Sequence, residues 1–104
     1  MAKAVSSPLI LFPDDHDAQS EHEAASRGYL SHVVVQTDEG VRYQLCFYDP
    51  VRLGQTLADE FRLRANGFGE PNMVVVPDVT SECIRKAVEE LWRAGYFNEI
   101  KPLR

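Results

Sequence analysis

Cysteine is scarce in this chain: two residues in 104, Cys46 and Cys83, too few for a disulfide scaffold and without the CxxC spacing of a redox or zinc knuckle. They read as idle thiols in a reducing compartment. No window approaches the run of about eighteen apolar residues that a membrane span requires, so no membrane partner is expected. The apolar run at 8–12 is short, is closed by Pro13-Asp14-Asp15 and precedes no small-residue cleavage site. No export signal is read there, and the cytoplasm is the default location. A basic stripe is also missing. Arg62 and Arg64 stand close together, but Asp59, Glu60 and Glu70 surround them. Phosphate backbones are held by clustered Lys and Arg, so nucleic acid is not an expected partner.

Catalytic fingerprints are absent too. Gly67-Phe68-Gly69-Glu70-Pro71 is rich in glycine but lies between a helix and a strand, in that order. Phosphate loops run from strand to helix, so this one reads as turn chemistry. No cofactor and no metal is implied.

What the sequence does contain is one acidic segment. The net charge is −5, and Asp14, Asp15, Asp17, Glu21 and Glu23 hold five of the 16 acids with no Lys or Arg among them, leaving 11 acids against 11 bases elsewhere. His16 and His22 fall in the same segment, yet the spacing matches neither an EF-hand loop nor a zinc motif. The segment reads as a solvated, irregular or partly helical linker, with Asp14 or Asp15 as a cap and Gly28 as terminator.

The clearest periodic stretch follows it. Val41, Tyr43, Leu45 and Phe47 alternate with Arg42, Gln44, Cys46 and Tyr48, the pattern of a strand with one buried and one wetter face. Residues 29–37 form its hairpin partner across Asp38-Glu39-Gly40, with Gly40 left-handed. Hydrophobic matching pairs Val35 with Tyr43 and Val33 with Leu45 on one face. It pairs Val34 with Gln44, His32 with Cys46 and Leu30 with Tyr48 on the other. Asp49-Pro50 opens a helix in which Leu53, Leu57 and Phe61 recur every four residues. Residues 72–76 are a third strand, apolar on both faces. A second helix, capped by Asp78 or Thr80, buries Ile84, Ala87, Val88 and Leu91 and ends at Gly95.

The expected fold is α+β: a two-layer sandwich over 29–104, with a ββαβα core, a three-stranded sheet in order 3-1-2 and two helices on one face. Residues 1–28 form an N-terminal arm and acidic segment. Helices on one side only leave the other sheet face bare, and Leu30, His32, Val34, Cys46 and Tyr48 then mark an interface. The first functional reading is therefore a small non-catalytic protein acting by contact, as a homodimer or docking module. A sharper version sets Asp14, Asp15, Asp17, Glu21 and Glu23 against a basic enzyme, as an inhibitor or immunity-type protein. The runner-up is a small enzyme or ligand binder on the His32/Cys46 face, where an imidazole beside a thiol would make a nucleophile. No catalytic residue is assigned, because no orienting third group is visible. Cys83, in the first turn of the second helix, reads as a buried thiol.

Overall fold

The computed structural model describes residues 7–13, 16–63 and 66–103. In chain order the elements are β1 (Leu9–Leu11), α1 (Ala18–Arg27), β2 (Tyr29–Gln36), β3 (Arg42–Tyr48), α2 (Pro50–Leu63), β4 (Met73–Val75) and α3 (Ser81–Arg93), followed by a single 3-10 turn, Tyr96–Asn98. The class is α+β, as the pattern implied.

β2 and β3 form the expected antiparallel hairpin. Gly40 closes the turn at φ 85°, and its N–H donates to the Thr37 carbonyl at 2.9 Å. The pairing runs as hydrophobic matching requires from Gln36 with Arg42 down to Val33 with Leu45. There it slips. Leu30 pairs with Phe47 and Tyr29 with Tyr48, so Ser31 and His32 together oppose Cys46 alone. This is a β-bulge, with His32 at φ 62°. One extra residue reverses the faces beyond it. Leu30 turns into the core, 6% exposed, instead of lying on the outer face opposite Tyr48. The expected His32–Cys46 and Leu30–Tyr48 pairs therefore do not form.

The sheet has four strands in the order β1-β2-β3-β4, not three in the order 3-1-2. The first hairpin strand is central, as in the expected order 3-1-2, but its second neighbour comes from the arm. β1 pairs antiparallel with it, Ile10 against Val35. With that edge occupied, the last strand goes to the other side of the hairpin. β4 runs parallel to β3, Cys46 against Met73 and Tyr48 against Val75. The free edge of β3 is met at several points beyond the ladder with β4. Val76 N–H donates to the Tyr48 carbonyl at 2.8 Å, and Cys46 N–H donates to the Asn72 carbonyl at 3.2 Å. Asn72 Nδ2 donates to the Gln44 carbonyl at 2.9 Å, and Leu103 N–H to the Arg42 carbonyl at 2.6 Å. Each contact meets a backbone group that a bare sheet edge would leave unpaired.

The core lies on the Val33, Val35, Leu45 and Phe47 side, where α3 sets Ile84 and Val88 against them. Thr80 caps α3 by accepting the Cys83 N–H at 3.2 Å, and the outer pairs Glu82–Lys86 and Glu89–Arg93 form at the expected spacing. Gly95, at φ 82°, turns the chain so that Phe97 enters the core beside Tyr43, Trp92 and Tyr96.

The acidic segment is a folded element. Asp14 and Asp15 lie outside the described residues, and the α1 cap is Asp17, which accepts the Ser20 N–H at 2.9 Å. Ala24 of α1 is in the core. Glu21 ties α1 to the start of α3. One of its oxygens accepts the Ser81 N–H at 2.8 Å and the Ser81 hydroxyl at 3.0 Å, while the other meets His16 Nε2 at 2.8 Å. Burial raises the Glu21 carboxyl, but the Ser81 N–H, the His16 ring and the Ser81 hydroxyl together outweigh it and hold the group below its ordinary value. The Phe12 ring, which follows β1, stacks on His16 and lies under the Arg85 guanidinium of α3.

The two helices expected on one face behave differently. α2 is capped as read: Asp49 Oδ1 accepts the Arg52 N–H at 2.7 Å, and Pro50 takes the first position. Yet α2 buries no side chain fully and contributes nothing to the core. Its inner side carries Arg52, Thr56 and Glu60 beside Leu53 and Leu57, all half-buried. Two leucines among three polar residues make a weak packing face, and α3, α1 and Phe97 already fill the core side.

Candidate functional site

The bulge, the outer face of β3, the loop before β4 and the C-terminal segment enclose a groove of about 320 Å³. Its chemistry comes from Tyr29, His32, Gln44, Cys46, Glu70 and Lys101, four of them on the hairpin and two on the segments folded over it. Glu70 is its electrostatic centre. The Tyr48 hydroxyl donates to Glu70 Oε1 at 2.7 Å, and the Cys46 thiol points to the same oxygen at 3.8 Å. The Tyr29 ring leans on Tyr48 with centroids 4.7 Å apart. Among the described residues, neither Glu70 nor Lys101 has an ion-pair partner.

Among the described residues, the two non-glycine residues with positive φ, His32 at 62° and Asn72 at 55°, both line this groove. Asparagine tolerates the left-handed region, and the conformation of Asn72 is offset by its two bonds to β3. His32 carries the bulge, and its Nδ1 meets Ser31 Oγ at 2.8 Å.

Burial and the Glu70 carboxylate push the Cys46 thiol up to about 11. Burial, then the hydrogen bond to Glu70, pushes the Tyr48 hydroxyl up as well. Both groups keep their protons at neutral pH and serve as donors. A thiol so held is a poor nucleophile, because only the thiolate attacks. In a Cys83→Ser variant, Cys46 is expected to react with a disulfide reagent at pH 7 about two orders of magnitude more slowly than free cysteine, from the fall in thiolate fraction. Reaction at the free-cysteine rate would show that burial and the carboxylate together do not hold the proton.

The sequence-marked residues disperse. His32 and Cys46 reach the groove; Tyr48 is buried beneath it, Val34 is half-buried and Leu30 belongs to the core. Of the acidic group, Asp17 and Glu21 are engaged in capping and in bridging helices, and Glu23 is exposed beside Gln19. Sequence reasoning missed Glu70, Asn72 and Lys101. A carboxylate between Gly69 and Pro71 was the available signal for the first; Lys101 in a polar tail offered none.

A second surface lies on the outer side of α2. Val51 is 70% exposed and Phe61 52%, while Leu63, 67% exposed, projects from another side of the last turn. Val51, Gly54, Ala58 and Phe61 follow a three-four-three spacing and so line up along one side of the helix. A methyl group added at Gly54 would meet nothing within 4 Å, so no packing inside the chain requires glycine there.

Among the described residues no helix is long and apolar enough to cross a membrane. No family model matches the chain, and no curated protein or solved structure compared with it matches either.

Proposed function

We propose that the protein acts without catalysis, by contact with another protein or with a second copy of itself, and that α2 is the contact element. The observation that carries this reading is the bare apolar side of α2. A 14-residue helix with an internal glycine is marginal without packing. Its own chain gives it only a half-buried inner face. Covering Val51 and Phe61 would contribute about 4 kcal/mol, at ~1.5–3 each before ordering costs. Glycine and alanine between Val51 and Phe61 would let a partner's backbone come close.

The His32/Cys46 enzyme reading draws less support, because the thiol holds its proton. The acidic-inhibitor version is also weaker, because Asp17 and Glu21 are tied into the fold.

The test is a Val51→Glu/Phe61→Glu double variant, which should fold because neither side chain is in the core. Wild type should self-associate with rising concentration in sedimentation, or retain a partner from its native cells at defined stoichiometry. The variant should lose whichever of these wild type shows. Identical behaviour of the two proteins in both measurements would remove α2 from the function.

A further inference from the structure

We propose that the groove beside the bulge binds a small zwitterion of the α-amino acid class, its ammonium group on Glu70 and its carboxylate on Lys101. This is independent of the contact made by α2. The groove is lined by one acid from the loop before β4 and one base from the C-terminal segment, and the two do not pair with each other. A ligand with both charges would complete each of them.

Glu70 is built to receive a cation. Both of its protein donors, from Tyr48 and Cys46, fall on Oε1, and Oε2 accepts no hydrogen bond from the described residues. Glu70 is half-buried, and its carboxylate is positioned by Tyr48, which is itself buried. An aromatic ring, Tyr29, lines the same groove, and ring faces attract ammonium groups. Lys101 is anchored from the other direction. Two residues beyond it, the Leu103 N–H bonds to the Arg42 carbonyl, which fixes the C-terminal segment along the edge of β3.

Size and lining narrow the class further. A volume of about 320 Å³ lies at the small end of ligand pockets, suited to one amino acid and not to a nucleotide. Pro71, Pro102 and Leu103 supply apolar wall, which favours an aliphatic side chain. L-Leucine is accordingly the probe of choice.

The experiment is a nitrogen–proton NMR titration of the full chain with L-leucine, N-acetyl-L-leucine and L-leucinamide. L-Leucine should shift the amides of Tyr29, His32, Cys46, Asn72 and Lys101 with saturation. Each blocked compound should bind about tenfold more weakly, the usual loss for one charge-assisted hydrogen bond. Glu70→Gln keeps an oxygen for the Tyr48 hydroxyl and should erase the discrimination against the acetylated compound alone. Lys101→Met should erase the discrimination against the amide alone. Lys101 is exposed, so that variant carries the test even if Glu70→Gln fails to fold. Equal binding of all three compounds, or no saturable shift in the groove with L-leucine, overturns the proposal.

Discussion

Deleting Val34 should lower the melting temperature sharply, whereas deleting His32, two residues earlier in the same strand, should leave it nearly unchanged. The difference follows from the bulge. Ser31 and His32 share one partner, Cys46, so losing His32 leaves a regular ladder. Leu30 stays against Phe47 and Val33 against Leu45, and every core residue keeps its face. The deletion also removes a left-handed residue, whose conformation costs ~1–2 kcal/mol. Its net effect is expected within about 1 kcal/mol of wild type, in the range of a mild surface change. Deleting Val34 can be absorbed only by using up the bulge. Val33 then moves to the outer position opposite Gln44, and His32 enters the slot opposite Leu45, where Val33 is now fully buried. That slot is apolar on all sides. An imidazole without a partner costs ~1–3 kcal/mol there by mutational measures, and the displaced valine loses ~1.5 or more. Using up the bulge also releases the ~1–2 kcal/mol of left-handed strain at His32, so the net cost is about 2–3 kcal/mol, a large part of what a small domain has. At ~4–8 °C per kcal/mol the melting temperature should fall by about 10–20 °C. Equal effects of the two deletions in thermal melts would mean that the bulge does not set the register.

The same residues show what could be read in advance. Val41, Tyr43, Leu45 and Phe47 fixed the faces of β3, and matching to them placed the turn and the pairs down to Val33. Beyond Val33 the pattern carries no information about a bulge. Ser31 and His32 are both polar and fit an outward position, while Tyr29 and Leu30 are both apolar and fit either side. Strand order failed for a related reason. The interior place of the first hairpin strand was legible in Val33, Val34 and Val35, whereas residues 72–76, also apolar on both faces, supply an edge strand. Nothing in periodicity says which neighbours a strand takes, and three residues of the arm were enough to occupy one edge. For α2 the period was right and the burial wrong, because depth depends on what else competes for the core face. The groove was half legible. His32 and Cys46 were marked, but Glu70 and Lys101 arrive through a loop and a tail whose paths no short-range pattern specifies.

Gly28→Ala is expected to cost about 3 kcal/mol, well above a typical exposed glycine-to-alanine change. Gly28 ends α1 at φ 70°, where an alanine pays ~1–2 kcal/mol for the left-handed backbone. A second cost comes from its neighbour. An added Cβ would stand 2.5–2.7 Å from the Asp49 carboxylate, too close for any real contact. Asp49 cannot move freely. Its N–H donates to the Gly28 carbonyl at 2.9 Å, and its carboxylate caps α2 through the Arg52 N–H. Displacing the carboxylate forfeits a helix cap worth ~1 kcal/mol. Gly40 provides the control, since its φ of 85° imposes similar strain while its Cβ position is open. Gly40→Ala should therefore cost only ~1–2 kcal/mol. A double-mutant cycle separates the two contributions. In an Asp49→Ala background the clash and the cap are already gone, so Gly28→Ala should cost about 1 kcal/mol less than in wild type. Additive costs in denaturant unfolding would show that strain alone is at work, and that the end of α1 and the start of α2 are not held at one joint.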